Sequence, residues 1–149
     1  SAVHRSYRYR ILNRRARPGL DLGRVWHVPQ RLDADAMHEA AQGLLGHHDF
    51  SAFRAAACQA KDALRTLDRL DVSRQGEEIV VRVEARSFLH HQVRNMVGTL
   101  AQVGRGLRPV NWPRQVLDAA DRRRAGQTAP ADGLCFVSVR YEPALDWPA

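Results

Sequence analysis

Arg94 lies at the border of an apolar helix face, a position that could serve chemistry. It belongs to the stretch SFLHHQVRNMVGTLAQVGRG, residues 87–106, whose core-facing residues recur at three-four spacing: Leu89, Val93, Met96, Val97, Leu100 and Val103. Arg94 follows Val93 by about 100° around the helix, so its side chain emerges beside the buried face. Its planar guanidinium, which stays protonated, could hold a carboxylate ionised and oriented. The alternative is an arginine with a buried stem and a guanidinium in water.

Tyr7 is the second residue whose setting could serve chemistry. The stretch SYRYRILN, residues 6–13, alternates strictly and predicts a strand. One face would carry Tyr7, Tyr9 and Ile11, and the other Arg8, Arg10 and Leu12. A tyrosine in a half-buried strand usually belongs to the core, but beside two arginines its ring could instead stack on a nucleobase.

The charge balance of the chain favours a polyanionic partner. Its 149 residues include 23 Lys plus Arg against 16 Asp plus Glu, which gives a formal net charge of +7 and a pI near 10.6. Because such a surface gains affinity by releasing counterions, nucleic acid is the first candidate. Lys61 is the only lysine, so a GC-rich genome explains part of the bias.

Cysteine and histidine spacing argues against a metal site. Cys58 and Cys135 are far apart, and we predict reduced, core or partly buried thiols. The histidine pairs at 47–48 and 90–91 point in diverging directions on a helix and have no third ligand at a suitable spacing. No stretch approaches the roughly 18 apolar residues that cross a membrane, and we expect a soluble, cytoplasmic protein without a metal site.

The elements that would position these residues can be read along the chain. After the first strand, residues 14–24 predict an irregular basic loop. A helix should begin after Asp33 as N-cap and end at Gly46. The segment HHDFSAFR that follows is too short and polar for a strand, so we interpret it as a structured loop or single turn.

The second half predicts a hairpin, two helices and a last strand. The hairpin joins residues 64–74 and 79–85 through a turn at Gln75 and Gly76. A helix over 87–104 with Ser87 as N-cap follows, then a helix over 111–124 that buries one side: Trp112, Val116, Leu117 and Ala120. The apolar run 134–141 predicts a strand buried within a sheet. Together these elements predict an α+β fold with an antiparallel or mixed sheet and helices packed on one face.

Four blocks of the sequence resemble the C-terminal part of TruA-type tRNA pseudouridine synthases, in family order and spacing. They are SYRYRILN at 6–13, LLGHHDFSAFR at 44–54, SFLHHQVRNMVGTLAQVGRG at 87–106 and TAPADGLCFVSVRY at 128–141. The resemblance implies the pseudouridine synthase fold, in which two similar halves share a sheet and enclose a basic cleft. It also implies a homodimer that converts uridine to pseudouridine in the anticodon stem-loop of tRNA, without metal or organic cofactor.

The resemblance assigns roles to single residues. Tyr7 matches the tyrosine that stacks on the target base and serves in proton transfer, and Arg94 matches the arginine that pairs with the catalytic aspartate. That aspartate belongs to a segment of the form G-R-T-D-x-G-V-H, which these 149 residues do not contain; Asp49 matches a different family block. We therefore predict that the chain alone is inactive.

Further family matches concern the surroundings of the site. Phe50, Phe53 and Arg54 would brace a loop beside it, His90 and His91 would line the RNA path, and Leu134 would pack under the target base. The full set of residues expected to contact substrate is Tyr7, Leu134, His90, His91, Arg54, Arg8 and Arg10. Structural packing is the alternative for each of them. Two other functions stay open, namely a non-catalytic RNA-binding or dimerisation module and a DNA-binding domain, although neither helix has an obvious set of base-reading side chains.

Overall fold

The fold is a mixed sheet with α-helices on one face. A computed structural model describes residues 3–56 and 60–141. The strands in this part of the chain are β1 (Val3–Leu12), β2 (Trp26–His27), β3 (Gly46–Asp49), β4 (Leu64–Gln75), β5 (Glu78–Ala85) and β6 (Leu134–Tyr141). The helices are α1 (Ala34–Gln42), α2 (Gln92–Gly104) and α3 (Trp112–Ala119), with short 3-10 turns at Ser51–Phe53, Arg122–Arg124 and Ala131–Gly133.

β1 is the strand with the most partners in the sheet, since it pairs with β2, β5 and β6. The sheet order is β2-β1-β5-β4-β3, and β6 also pairs with β1. β5 runs antiparallel along one edge of β1, whereas β6 and the two-residue strand β2 share its other edge, antiparallel and parallel respectively. This topology confirms the predicted α+β fold, and of the two predicted alternatives, antiparallel or mixed, the sheet is mixed because β2 runs parallel to β1.

The helices cover the apolar face of this sheet. Tyr9 is in register with Val81, which is in register with Val72, and all three are buried. Alternation puts charged residues on the opposite face, where Arg8, Arg82 and Asp71 are aligned across three strands. Side chains from the helices complete the core: Met37, Ala40 and Ala41 from α1, Met96, Val97 and Leu100 from α2, and Val116 and Leu117 from α3.

The first helix ends earlier than predicted. Asp33 caps it as expected, since its Oδ1 accepts a hydrogen bond from the N–H of Ala36 at 3.0 Å. However, α1 stops at Gln42, and Gly43 is its C-cap. Gly46, with φ of 100°, instead opens strand β3, so the structured loop predicted over HHDFSAFR is a short strand followed by the expected single turn. The brief strand β2 was also not predicted.

Both later helices are shorter than predicted. Ser87 is not the N-cap of α2, which begins at Gln92 because His91 adopts a left-handed conformation with φ of 63°. The Gln92 side chain accepts a hydrogen bond from the N–H of Leu89 and so stabilises the loop before the helix. In the same way α3 ends before Ala120, which is also left-handed and exposed instead of buried.

The predicted burial of the last strand is wrong for this chain. In the described structure β6 pairs only with β1, and its large apolar side chains are open to solvent, with Phe136 51% and Tyr141 67% exposed. Cys135 is likewise exposed, not a core thiol, while Cys58 lies outside the described residues. The apolar side chains of β6 therefore form a surface that the other described residues leave uncovered. No helix of the described residues is long and apolar enough to span a membrane.

Candidate active site

An open pocket of about 410 Å³ brings together five of the residues that the sequence singles out. Three segments line it: the middle of β1, the loop that leads into α2 together with the first turn of that helix, and Ala131 with the first residue of β6. The predicted residues in its wall are Tyr7, His90, His91, Arg94 and Leu134. Arg5, Phe88, Leu89, Gln92, Val93 and Ala131 complete the lining. The volume lies within the range of small-ligand pockets.

Arg94 is half-buried at the edge of this pocket and is held by protein groups on two sides. Its Nε donates a hydrogen bond to the carbonyl oxygen of Ala129 at 2.8 Å, and its Nη1 lies 3.1 Å from Nε2 of His91. The backbone adds a third contact, from the N–H of Ala129 to the carbonyl of Arg94 at 3.0 Å. The guanidinium is therefore fixed by neighbours and not simply solvated.

The predicted carboxylate partner of Arg94 stays a prediction. Within residues 3–56 and 60–141 no carboxylate lies within 4.0 Å of its guanidinium, and Nη2 has no hydrogen-bond partner there. A planar cation with a free N–H edge can bind an oxyanion supplied from elsewhere.

The loop of residues 125–133 contacts Arg94 through Ala129. This loop can approach α2 closely because Gly98 has no side chain. A Cβ at Gly98 would lie 1.7 Å from the carbonyl oxygen of Gln127. Buried Asn95 secures the same loop, since its Oδ1 accepts hydrogen bonds from Arg122 at 3.0 Å and Thr128 at 2.5 Å.

Tyr7 and Tyr9 have different environments, although they lie on the same face of β1. Tyr9 is fully buried and donates a hydrogen bond to the carbonyl of Pro130 at 2.6 Å, and burial raises its pKa well above the ordinary range. Tyr7 is half-buried and lines the pocket, with its ring in edge contact with Phe88 and Phe136, each at 5.5 Å between centroids. Tyr9 is therefore structural, and Tyr7 is the tyrosine available to a ligand.

The rings of His90 and His91 stack on each other just before the start of α2. Their ring centroids are 4.0 Å apart with an interplanar angle of 26°. His90 is exposed, whereas His91 is half-buried. Burial, with smaller contributions from the neighbouring His90 and Arg94, lowers the pKa of His91, so the ring is neutral at physiological pH.

Arg8, Arg10 and Arg54 are not brought to this pocket. Arg8 and Arg10 lie on the opposite face of the sheet from Tyr7, because successive strand residues alternate, and Arg10 pairs with Glu78 at 2.6 Å. The guanidinium of Arg54 donates to the carbonyl of Ala60. Their proposed substrate contacts stay predictions. Phe50 and Phe53 are fully buried core residues.

The sequence did not identify every residue of the site. Phe88 fell within a segment interpreted as helix and Phe136 within a strand interpreted as buried, while Ala129 fell within the fourth family block but was assigned no role of its own. The pairing of Tyr7 with Phe136 follows from the antiparallel register of β1 and β6. Among the described residues, no three His, Cys, Asp or Glu side chains are close enough together to hold a metal ion.

Comparison with known proteins identifies the family. Residues 40–142 match the family model described as tRNA pseudouridine synthase. The tRNA pseudouridine synthase A of Acidiphilium cryptum is 65% identical over 142 residues, which is 95% of this chain and 56% of that protein. That of Methylobacterium nodulans is 62% identical over 149 residues, 99% of this chain and 59% of that protein. The chain thus spans little more than half the length of these curated relatives. It belongs to the tRNA pseudouridine synthase family.

Proposed function

We propose that this chain forms part of an enzyme that converts uridine to pseudouridine in tRNA, with the pocket around Tyr7 and Arg94 as its share of the active site. The observation that carries the proposal is the convergence of these two residues, which are far apart in the sequence, on one pocket. The names of the relatives support tRNA as the substrate.

In the proposed reaction the bond between ribose C1′ and uracil N1 breaks, the detached base turns, and C1′ bonds to C5. The proton on C5 leaves and N1 gains a proton, so the product is an isomer and no redox partner is needed. Tyr7 would stack on the base and take part in proton transfer. Arg94 would hold the catalytic aspartate, supplied from outside these 149 residues, in its ionised form. Partial burial strengthens such a pair.

The decisive experiment compares residues 1–149 with the longest natural reading frame that encodes them. Each protein is incubated with undermodified tRNA and pseudouridine is counted. We expect turnover from the longer protein and none above background from residues 1–149, because the fork of Arg94 then has no catalytic carboxylate to hold. Turnover by residues 1–149 alone would contradict the assignment. Tight tRNA binding with no activity from either protein would favour the non-catalytic RNA-binding module.

The finer features of the proposal come from the resemblance. They are an anticodon stem-loop as the modified region, a homodimer, a cytoplasmic location, and catalysis without metal or organic cofactor. The formal charge of +7 and its excess of arginine are consistent with a tRNA partner.

A basic groove beside the pocket supports RNA binding. It has a volume of about 730 Å³ and is lined by Arg15 and Arg17 from the loop after β1, together with Trp26 and His27. Pro130 and Asp132 also line it, and the turn Ala131–Gly133, which contains Asp132, directly precedes the pocket residue Leu134. Phosphates that flank the target nucleotide could therefore lie along this groove.

Removing both groove arginines should weaken tRNA binding. For Arg15→Ala combined with Arg17→Ala we expect the slope of log affinity against log salt to decrease in magnitude by about 1–2, since each phosphate contact contributes nearly one counterion. Binding is measured by filter retention at several salt concentrations. Arg114→Ala is the control, because this exposed arginine on α3 pairs with Asp118, away from the groove. Equal slopes for the double variant and the unmodified protein would exclude phosphate contacts here.

A further inference from the structure

His91 has an unfavourable backbone conformation that its position in the helix does not explain. Its φ of 63° is left-handed, a region that non-glycine residues rarely occupy. It is the N-cap residue of α2, yet its side chain makes no capping hydrogen bond. The imidazole ring of His91 therefore does not act as a helix cap.

The imidazole ring of His91 instead contacts the guanidinium of Arg94. Nε2 of His91 lies 3.1 Å from Nη1 of the guanidinium. Because a guanidinium only donates hydrogen bonds, Nε2 must be the acceptor, and the imidazole is neutral with its proton on Nδ1. Ala129 accepts from Nε of the same guanidinium. Two acceptors on different segments thus fix the plane of the Arg94 fork.

We propose that His91 is a positioning residue for Arg94, not a contact for RNA: its neutral imidazole holds the guanidinium in the orientation that receives the catalytic carboxylate. This inference rests on the proposed function for its catalytic meaning. It differs from the role that family resemblance suggested, in which His91 lines the RNA path.

The surroundings of His91 keep the ring neutral. His90 stacks on it and Arg94 contacts it directly. His91 borders the pocket described above and a second recess beside it. No Asp or Glu lines either of them, and the charged residues that line them besides Arg94 are Arg5, Arg122 and Arg123. Burial and these neighbours lower the pKa of His91. Protonation therefore occurs at a pH below the ordinary histidine range near 6.5, where it replaces the hydrogen bond to Arg94 with repulsion between two cations.

Two substitutions separate the hydrogen bond from the backbone. His91→Asn keeps a residue that tolerates the left-handed conformation, but its short side chain has no acceptor where Nε2 lies. His91→Gln can place an amide oxygen near that point, and this oxygen does not titrate. Both are made in the longest reading frame that encodes the chain, and the kcat and KM for tRNA are measured from pH 5 to 8.

We expect His91→Asn to lower kcat about tenfold to a hundredfold with KM within about twofold, because a charge-assisted hydrogen bond and the alignment it gives are lost. We also expect kcat of the unmodified protein to decline at acid pH, whereas His91→Gln should restore most of kcat and should lack that decline. A raised KM with unchanged kcat in His91→Asn would overturn the proposal and favour RNA contact. Equal kcat values for the unmodified protein and His91→Asn would overturn it as well.

A spectroscopic measurement tests the contact without activity. Nitrogen-15 NMR of the imidazole should show the Nδ1–H tautomer of His91, and Arg94→Met should raise the pKa of His91 because a cation is removed. The opposite tautomer, or an unchanged pKa, would refute the contact. If the unmodified protein makes no pseudouridine, the proposed function fails while this measurement still decides the His91–Arg94 contact.

Discussion

Replacing Arg94 with lysine is expected to reduce pseudouridine formation about a hundredfold or more, although the positive charge is kept. Lysine has no planar fork, so it cannot accept the orientation that Ala129 and His91 impose and also present two parallel N–H groups to a carboxylate. Removal of a preorganised electrostatic donor at an active site costs on the order of a hundredfold to a thousandfold in kcat. The measurement is single-turnover pseudouridine formation in the longest reading frame.

The matched control is Arg114→Lys on α3. Arg114 is an exposed arginine that pairs with Asp118 at 3.0 Å and lies away from the pocket. Activity and thermal stability of this variant should match those of the unmodified protein, because exposed pairs contribute little. If Arg94→Lys had full activity, Arg94 would have no bidentate role, and the pairing with the absent aspartate would be wrong.

Gly98→Ala is expected to destabilise the protein by about 3 kcal/mol or more. Its added methyl group would lie 1.7 Å from the carbonyl oxygen of Gln127 and 2.9 Å from the carbonyl carbon, and backbone cannot rotate away as a side chain can. Overpacking alone costs about 1–3 kcal/mol. Displacing residues 125–133 would also break the hydrogen bonds that join this loop to Arg94 and Asn95, at about 1 kcal/mol each.

Urea unfolding followed by circular dichroism measures this effect. Gly19→Ala is the control, because a Cβ at Gly19 meets no atom within 4 Å and its backbone is not left-handed. Its free energy of unfolding should change by less than about 1 kcal/mol. A midpoint for Gly98→Ala equal to that of the control would mean that the loop does not pack on α2 as described. Activity should fall together with stability, since the same loop carries Ala129.

The elements with a clear local period were predictable. The alternation over SYRYRILN reflects the two-residue repeat of a strand, and the spacing of Val93, Met96, Val97 and Leu100 reflects the turn of a helix. Both patterns depend only on neighbours along the chain. Asp33 was predictable for the same reason, because a cap acts on the first turn that follows it.

Local patterns failed where a distant contact or an unusual backbone angle decided the outcome. The helical apolar spacing includes Leu89, but the left-handed conformation of His91 delays the start of α2 to Gln92. The apolar run over 134–141 predicted burial, yet burial depends on what packs against a strand. In the described structure β6 pairs with β1 alone, and the side chains of Phe136 and Val137 are about half exposed to solvent.

The sequence by itself determined the α+β class, the strand face of Tyr7 and the boundary position of Arg94 on its helix, because each follows from the period of the backbone. Only the tertiary structure decided what surrounds those side chains. Ala129 reaches Arg94 across 35 positions of sequence, through the space that Gly98 leaves open. Such contacts depend on the packing of whole elements in three dimensions, and no pattern within a single element encodes them.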